Sequence, residues 1–304
     1  MNVYFIYMSA ESSASVEADS VKKEAHLGIK HLVFSGGGFK AYALFGVYAT
    51  LDQMKLLDNL ETLVGNSAGS AMAILIALKY TPDELYSFVT DFDYKKLKEW
   101  NFINITTQWG IETGTKLEQF MLKLIVNKLR TDGNSHPRNW DPTFMDLYQY
   151  NPVELTIVAT KLNTHELMQY NYRNTPNESI AKSFRKSIAL PGIIAPVFEF
   201  DASTNQRITY VDGAVIDNFP IQLCPDEPET VGVLLEECHH NFREIEHLEQ
   251  YIVQLFNCRC SSVTHEKIKQ IKKAYLNIFI SKTLLFLIYN PSCKTHYQQN
   301  SFHK

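Results

Sequence analysis

Glu61-Thr62-Leu63-Val64-Gly65-Asn66-Ser67-Ala68-Gly69, running on into Ser70-Ala71-Met72-Ala73-Ile74-Leu75-Ile76-Ala77-Leu78, reads as a short strand, a small-residue turn and an apolar helix. The turn has the form G-x-S-x-G. Small residues two before and two after the serine allow a reversal sharp enough to expose a hydroxyl at the strand's carboxyl end, over a helix amino terminus. The helix dipole and unpaired N–H groups there favour negative charge, and the Ala68 N–H is placed to donate to a developing oxyanion. That geometry suits a nucleophile. An ordinary tight turn has the same composition, so the motif alone leaves both open.

One strand earlier, Ile29-Lys30-His31-Leu32-Val33-Phe34-Ser35 leads into Gly36-Gly37-Gly38-Phe39-Lys40 and a helix through Ala41 to Val47. Three glycines let the backbone approach a ligand and let successive N–H groups converge on one anion. Gly36, Gly38 and Ala41 fit the dinucleotide fingerprint, which also requires an acidic residue at the end of the second strand. Here Asp58 and Glu61 precede that strand, and it ends in the serine turn. The alternatives are an oxyanion-hole loop and a turn needed only for helix–strand packing. Lys40, in the first helical turn, opposes the helix dipole, which suggests either a role in holding the loop or an acidic group, or plain exposure.

Beyond the serine turn, Thr81-Pro82-Asp83-Glu84 has the N-cap, proline and acidic first turn of a new helix. Thr115 opens an amphipathic helix with Leu117, Phe120, Met121, Leu124 and Ile125 on one face, which suits a cover for a sheet; apolar residues between Lys95 and Asp141 would also serve as a lipid-facing lid. Val153 to Thr160 reads as a strand, Glu166 to Tyr172 as a short partner strand, and Ser179 to Ser187 as a helix. Thr209-Tyr210-Val211-Asp212-Gly213 places a carboxylate at a strand end, although Asp-Gly is also a common hairpin turn. The alternation of strand and helix predicts an α/β fold with a mostly parallel central sheet.

The chain has 304 residues, enough for one large domain or two small ones. With 29 basic and 33 acidic residues and a net charge of -4, it has no electrostatic footprint for nucleic acid. Cys224, Cys238, Cys258, Cys260 and Cys293 lack zinc-ligand spacing and read as thiols of a reducing compartment. The N-terminus lacks the basic region and long apolar core of a secretory signal, and Leu276 to Tyr289 is too short for a bilayer span. It reads as a buried segment.

Taken together and in this order, Gly36-Gly37-Gly38-Phe39-Lys40, Gly65-Asn66-Ser67-Ala68-Gly69 and Asp212-Gly213-Ala214 resemble the patatin-like phospholipase family from about Ile29 to Pro220. Leu190-Pro191 to Pro196 and Asp217-Asn218-Phe219-Pro220 belong to the resemblance. It implies a three-layer fold with helices on both faces of the sheet. It also implies Ser67 as nucleophile and Asp212 as proton acceptor of a Ser–Asp dyad. An oxyanion hole would come from Gly36, Gly37, Gly38 and Ala68, with Lys40, Gly65, Gly69, Gly213 and Ala214 supporting the motifs. The chain departs from the family pattern at Ala41, usually glycine, and at Asn66, commonly threonine.

Carboxylate is a weaker base than imidazole, so a dyad requires burial to raise the aspartate's pKa. A Ser…Asp…His triad through His239 or His240 is the rival arrangement. The expected function is hydrolysis of phospholipid or other acyl-ester lipid at a membrane surface, visited transiently, with no metal or other cofactor and hence no calcium requirement. A silent lipid- or partner-binding protein that keeps the fold is the alternative, and an activating protein is left open. The expected organisation is a mobile tail over residues 1–25, a catalytic domain over 26–235 and a helical extension over 236–304, in the cytoplasm or at the periphery of a membrane.

Overall fold

The computed structural model describes residues 7–8, 28–91, 100–130, 136–237, 244–268 and 274–280. The tail apart from Tyr7 and Met8, His239 and His240, Cys238 and Cys293, and the apolar run beyond Ile280 lie outside the described residues.

The described strands include β1 (Tyr7–Met8), β2 (His31–Phe34), β3 (Thr62–Asn66), β4 (Gly110–Glu112), β5 (Glu154–Lys161) and β6 (Glu166–Tyr170). They continue with β7 (Gly192–Ile194), β8 (Val197–Asp201), β9 (Gln206–Asp212), β10 (Thr230–Glu237) and β11 (Ala274–Ile280). The main sheet runs β1-β11-β10-β2-β3-β5-β9-β8, with β6 also on β5, while β4 and β7 form a separate pair. Its centre, from β11 through β10, β2 and β3 to β5, is parallel, and β1, β6, β8 and β9 join antiparallel. Residues 236–304, expected to be helical, contain a helix and in addition β11, whose run Tyr275-Leu276-Asn277-Ile278-Phe279-Ile280 has the aromatic and β-branched character of a strand.

Successive strand residues point to opposite faces, and both faces are covered. Leu32, Phe34, Leu63, Ile157, Ala159 and Leu235 enter the larger apolar core, while Val33, Val64 and Leu234 meet Phe219, Ile221 and Cys224 in a smaller one. Helices α1 (Tyr42–Gln53) and α2 (Ala68–Ala77) build the larger core. Every residue of α2 from Met72 to Ala77 is buried, which explains why its sequence is apolar all round rather than striped.

Helix α3 (Pro82–Asp91) starts as expected: the Thr81 hydroxyl accepts from the Glu84 N–H at 3.2 Å and the Glu84 carboxylate accepts from the Thr81 N–H at 2.7 Å. A short α4 (Asn104–Gln108) follows, then α5 (Thr115–Leu129), which buries Met121, Ile125 and Leu129 against the core. Helices α6 (Phe144–Tyr150) and α7 (Ile180–Ser187) complete this side. Helix α8 (Leu248–Ile268) reaches the other face, where Ile268 packs on the smaller core. No helix among the described residues is long and apolar enough to cross a membrane.

Candidate active site

Register brings the two motif-bearing strand ends together. Asn66, the last residue of β3, lies opposite Val158 of β5, and the next residue of β5, Ala159, lies opposite Asp212 at the end of β9. Although β9 runs opposite to β3, this register ends it beside Ala159, so its carboxyl end finishes level with the carboxyl end of β3. Ser67 and Asp212 therefore flank one strand. The Asp-Gly pair forms no hairpin; it leads into a 3-10 turn over Gly213–Val215.

Ser67 sits at φ 51°, ψ -123°, a region that a side chain other than glycine adopts only when its surroundings impose it. The neighbours do so. A Cβ on Gly65 would lie 2.5 Å from the Ser70 Cα, and one on Gly69 would lie 2.5 Å from the Ser35 carbonyl oxygen and 2.7 Å from that of Phe34. Helix α2 can pack this tightly on β2 and β3 only through glycine. The Ser67 carbonyl accepts from the Ser70 N–H at 2.9 Å and from its hydroxyl at 2.5 Å, and the Ser67 N–H donates to the Ser187 hydroxyl at 2.8 Å. Gly69→Ala is expected to destabilise the protein by about 3 kcal/mol or more, since the backbone atoms it would strike cannot move aside; urea unfolding of purified protein measures this.

Asp212 is buried, with 2% of its surface exposed. Its N–H donates to the Ala189 carbonyl at 2.9 Å, and one carboxylate oxygen accepts from the Ala214 N–H at 2.9 Å. Burial raises its pKa from 3.8 to about 7, against the opposing pull of hydrogen bonds from the Ser67 side chain and the Ala214 N–H. The result is a carboxylate basic enough to hold a proton near neutrality, beside a serine hydroxyl.

The glycine-rich loop lies against this pair. Gly36 is buried, and a Cβ there would come within 3.3 Å of the Ser67 Cβ. The Gly36 N–H, expected in the oxyanion hole, donates instead to the Asn218 carbonyl at 3.0 Å. Gly36 thus anchors the loop, and a hole would draw on the N–H groups of Gly37, Gly38 and Ala68. Gly38 begins the 3-10 turn Gly38–Ala41 and Ala68 begins α2, so both N–H groups stand where a helix supplies no partner. Lys40 lies within that 3-10 turn, and its charge reaches the Cys260 thiol of α8.

Helix α8 lies across the loop that follows Asp212. The Arg259 guanidinium donates to the Val215 carbonyl at 3.1 Å, and the Cys260 thiol lies 3.5 Å from the Ala214 carbonyl oxygen. Burial and the nearby Asp212 charge push that thiol up to about 11. Lys267 pairs with Asp217 and donates to the Phe219 carbonyl at 3.0 Å and the Gln222 side-chain oxygen at 2.9 Å. Because Asp217 is buried, Lys267→Met strands its charge, and a loss of about 3 kcal/mol is expected in thermal unfolding. Trp100, Phe102, Ile103 and Trp109 are exposed, and the Trp109 ring meets Phe198 edge-on at 5.2 Å. Among the described residues, no group of three or more His, Cys, Asp or Glu side chains is placed to hold a metal ion.

Two supporting residues escape sequence reasoning. Ser187 ends a helix and belongs to no motif, and Asn218 stands inside the Asp217 to Pro220 tail with no spacing that announces a role.

A family model described as patatin-like phospholipase matches residues 32–224. An uncharacterized protein of Acanthamoeba polyphaga mimivirus, R571, is 31% identical over 232 residues, covering 74% of this chain and 72% of its own length. A probable lipid hydrolase of Invertebrate iridescent virus 6, 463L, is 27% identical over 195 residues, 64% of this chain and 62% of that protein. Among solved structures, VipD from Legionella pneumophila has the same fold at a TM-score of 0.53 and 18% identity; the match covers 89% of this chain and 66% of that one.

Proposed function

Because the chain belongs to the patatin-like phospholipase family, we propose that it is a lipid acyl hydrolase of phospholipase A type that works through a Ser67–Asp212 dyad. The observation that carries this reading is the pairing of a serine held in a strained elbow with a buried carboxylate whose pKa is about 7. A general base works best when its pKa lies near the working pH, and burial supplies here what imidazole has intrinsically.

Asp212 takes the hydroxyl proton as the Ser67 oxygen attacks the ester carbonyl. The carbonyl's electron pair moves onto its oxygen, which the N–H groups of Gly37, Gly38 and Ala68 receive, aided by the amino terminus of α2. Collapse breaks the bond to the leaving oxygen, which recovers the proton from Asp212 and departs as lysolipid or alcohol. Water then attacks the acyl-enzyme and gives its proton to Asp212, and the second collapse frees the fatty acid and returns the proton to Ser67. Each step closes on groups of this chain, so calcium has no assigned part. The exposed apolar side chains from Trp100 to Trp109 supply a surface for transient contact with a membrane that presents substrate.

Fatty-acid release from mixed phospholipid vesicles in excess chelator tests this reading. Release that continues at the rate seen with calcium is expected; release that chelator abolishes would count against a mechanism without metal, and none from folded protein, with or without cell extract as a source of activator, against hydrolysis itself.

A further inference from the structure

Asn66 immediately precedes Ser67, is completely buried, and is tied to a residue 152 positions away. Its side-chain N–H group donates to the Asn218 side-chain oxygen at 3.3 Å and to the Asn218 carbonyl at 3.5 Å. Asn218 in turn holds both polar groups of the Gly36 peptide: its carbonyl accepts from the Gly36 N–H at 3.0 Å, and its side-chain N–H donates to the Gly36 carbonyl at 3.4 Å. The contact is close enough that a Cβ on Gly36 would overlap the Asn218 side-chain oxygen and lie 3.1 Å from the Asn66 nitrogen. On its other side, the Asn66 side-chain oxygen is buried with no hydrogen-bond partner and lies against Gly213, where a Cβ would strike it.

One amide pair therefore touches the glycine-rich loop, the serine elbow and the loop carrying Asp212. A buried, unpaired carbonyl oxygen carries a desolvation cost that an apolar residue of similar shape would avoid. We propose that the Asn66–Asn218 pair is a positioning element that sets the Gly36–Gly38 loop against the Ser67 elbow, and with it the distance between the oxyanion donors and the carbonyl under attack. This rests on the acyl-hydrolase reading. The pair touches no reacting atom and acts through Gly36, whose two polar groups fix where the Gly37 and Gly38 N–H groups follow.

Leucine matches asparagine in shape and lacks the amide, so the test compares Asn66→Leu, Asn218→Leu and the double variant with the wild type. Turnover of p-nitrophenyl butyrate, the rate of Ser67 labelling by an alkyl fluorophosphonate, and thermal stability are read in parallel. Each single variant is expected to lose about 10- to 100-fold in kcat, with KM within about two-fold, because an ångström of misplacement costs about that much. The double variant is expected to be no slower than the worse single, because the pair acts as a unit. Its stability should return toward wild type, because both partners of the buried contact are then apolar. Activity that recovers together with stability in the double variant would reduce the pair to a structural contact and overturn the proposal, as would single variants with wild-type kcat and labelling rate. Wild-type protein that is labelled at Ser67 while the variants react equally fast overturns this inference alone. Wild-type protein that neither hydrolyses the ester nor takes the label overturns the parent reading and this one with it.

Discussion

Ser67→Ala is expected to reduce ester hydrolysis by about 10^4-fold or more while leaving the fold intact, because it removes the one atom that forms the acyl-enzyme. The hydroxyl's absence costs little packing, and Ser67 makes its structural hydrogen bonds through its main chain, to Ser187 and from Ser70. Asp212→Asn should cost a similar amount, since an amide cannot accept the proton. The pH profile separates this dyad from other bases. Asp212 works only when ionised, and with its pKa at about 7, kcat/KM should fall tenfold per unit of pH below neutrality and level off above it. A solvated carboxylate would place that limb near pH 4. Initial rates between pH 5 and 9 on a soluble ester decide between the two.

The same burial predicts that the inactive Asp212→Asn variant is the more stable protein at alkaline pH. The folded pKa, about 7, lies above the ordinary value of 3.8, so the fold binds this proton more tightly than the unfolded chain does. Its contribution to stability is intact below about pH 3.8 and is lost as pH rises through about 7. Across that interval the lost stability approaches about 4 kcal/mol, a ceiling that residual solvation of the ionised carboxylate lowers. Asparagine keeps the shape and escapes the charge. Denaturant unfolding of both proteins should show a gain of about 2–4 kcal/mol for Asp212→Asn at pH 8.5 that vanishes near pH 4. Equal stability at both pH values would mean that Asp212 ionises as easily in the fold as in water, and the case for it as the base would weaken accordingly.

What the sequence makes legible follows from how local the physical demand is. Gly65 and Gly69 are required by contacts within a few residues or with the adjacent strand, and the capping pair Thr81 and Glu84 is a three-residue affair. The burial of both sheet faces is written in the near-continuous apolar run of β2. Helix α5 appears where its apolar stripe places it. Long-range polar matching is another matter. Ser187 meets Ser67 across 120 positions and Asn218 meets Asn66 across 152, and neither residue type carries a pattern that forecasts a partner. For the same reason Gly36 reads as an oxyanion donor until its N–H is found on the Asn218 carbonyl. The strand β11 beyond α8, which lies between β1 and β10, is hard to read because a short apolar run suits a buried helix as well as a strand.

The whole mechanism turns on Ser67 as the nucleophile. Its most direct test is to treat the full-length protein with an alkyl fluorophosphonate, digest it, and locate the adduct by mass spectrometry, with Asp212→Asn alongside. The dyad predicts one adduct, on Ser67, formed far more slowly in Asp212→Asn. An adduct on another serine, or labelling of Ser67 at the same rate without the Asp212 carboxylate, would contradict it.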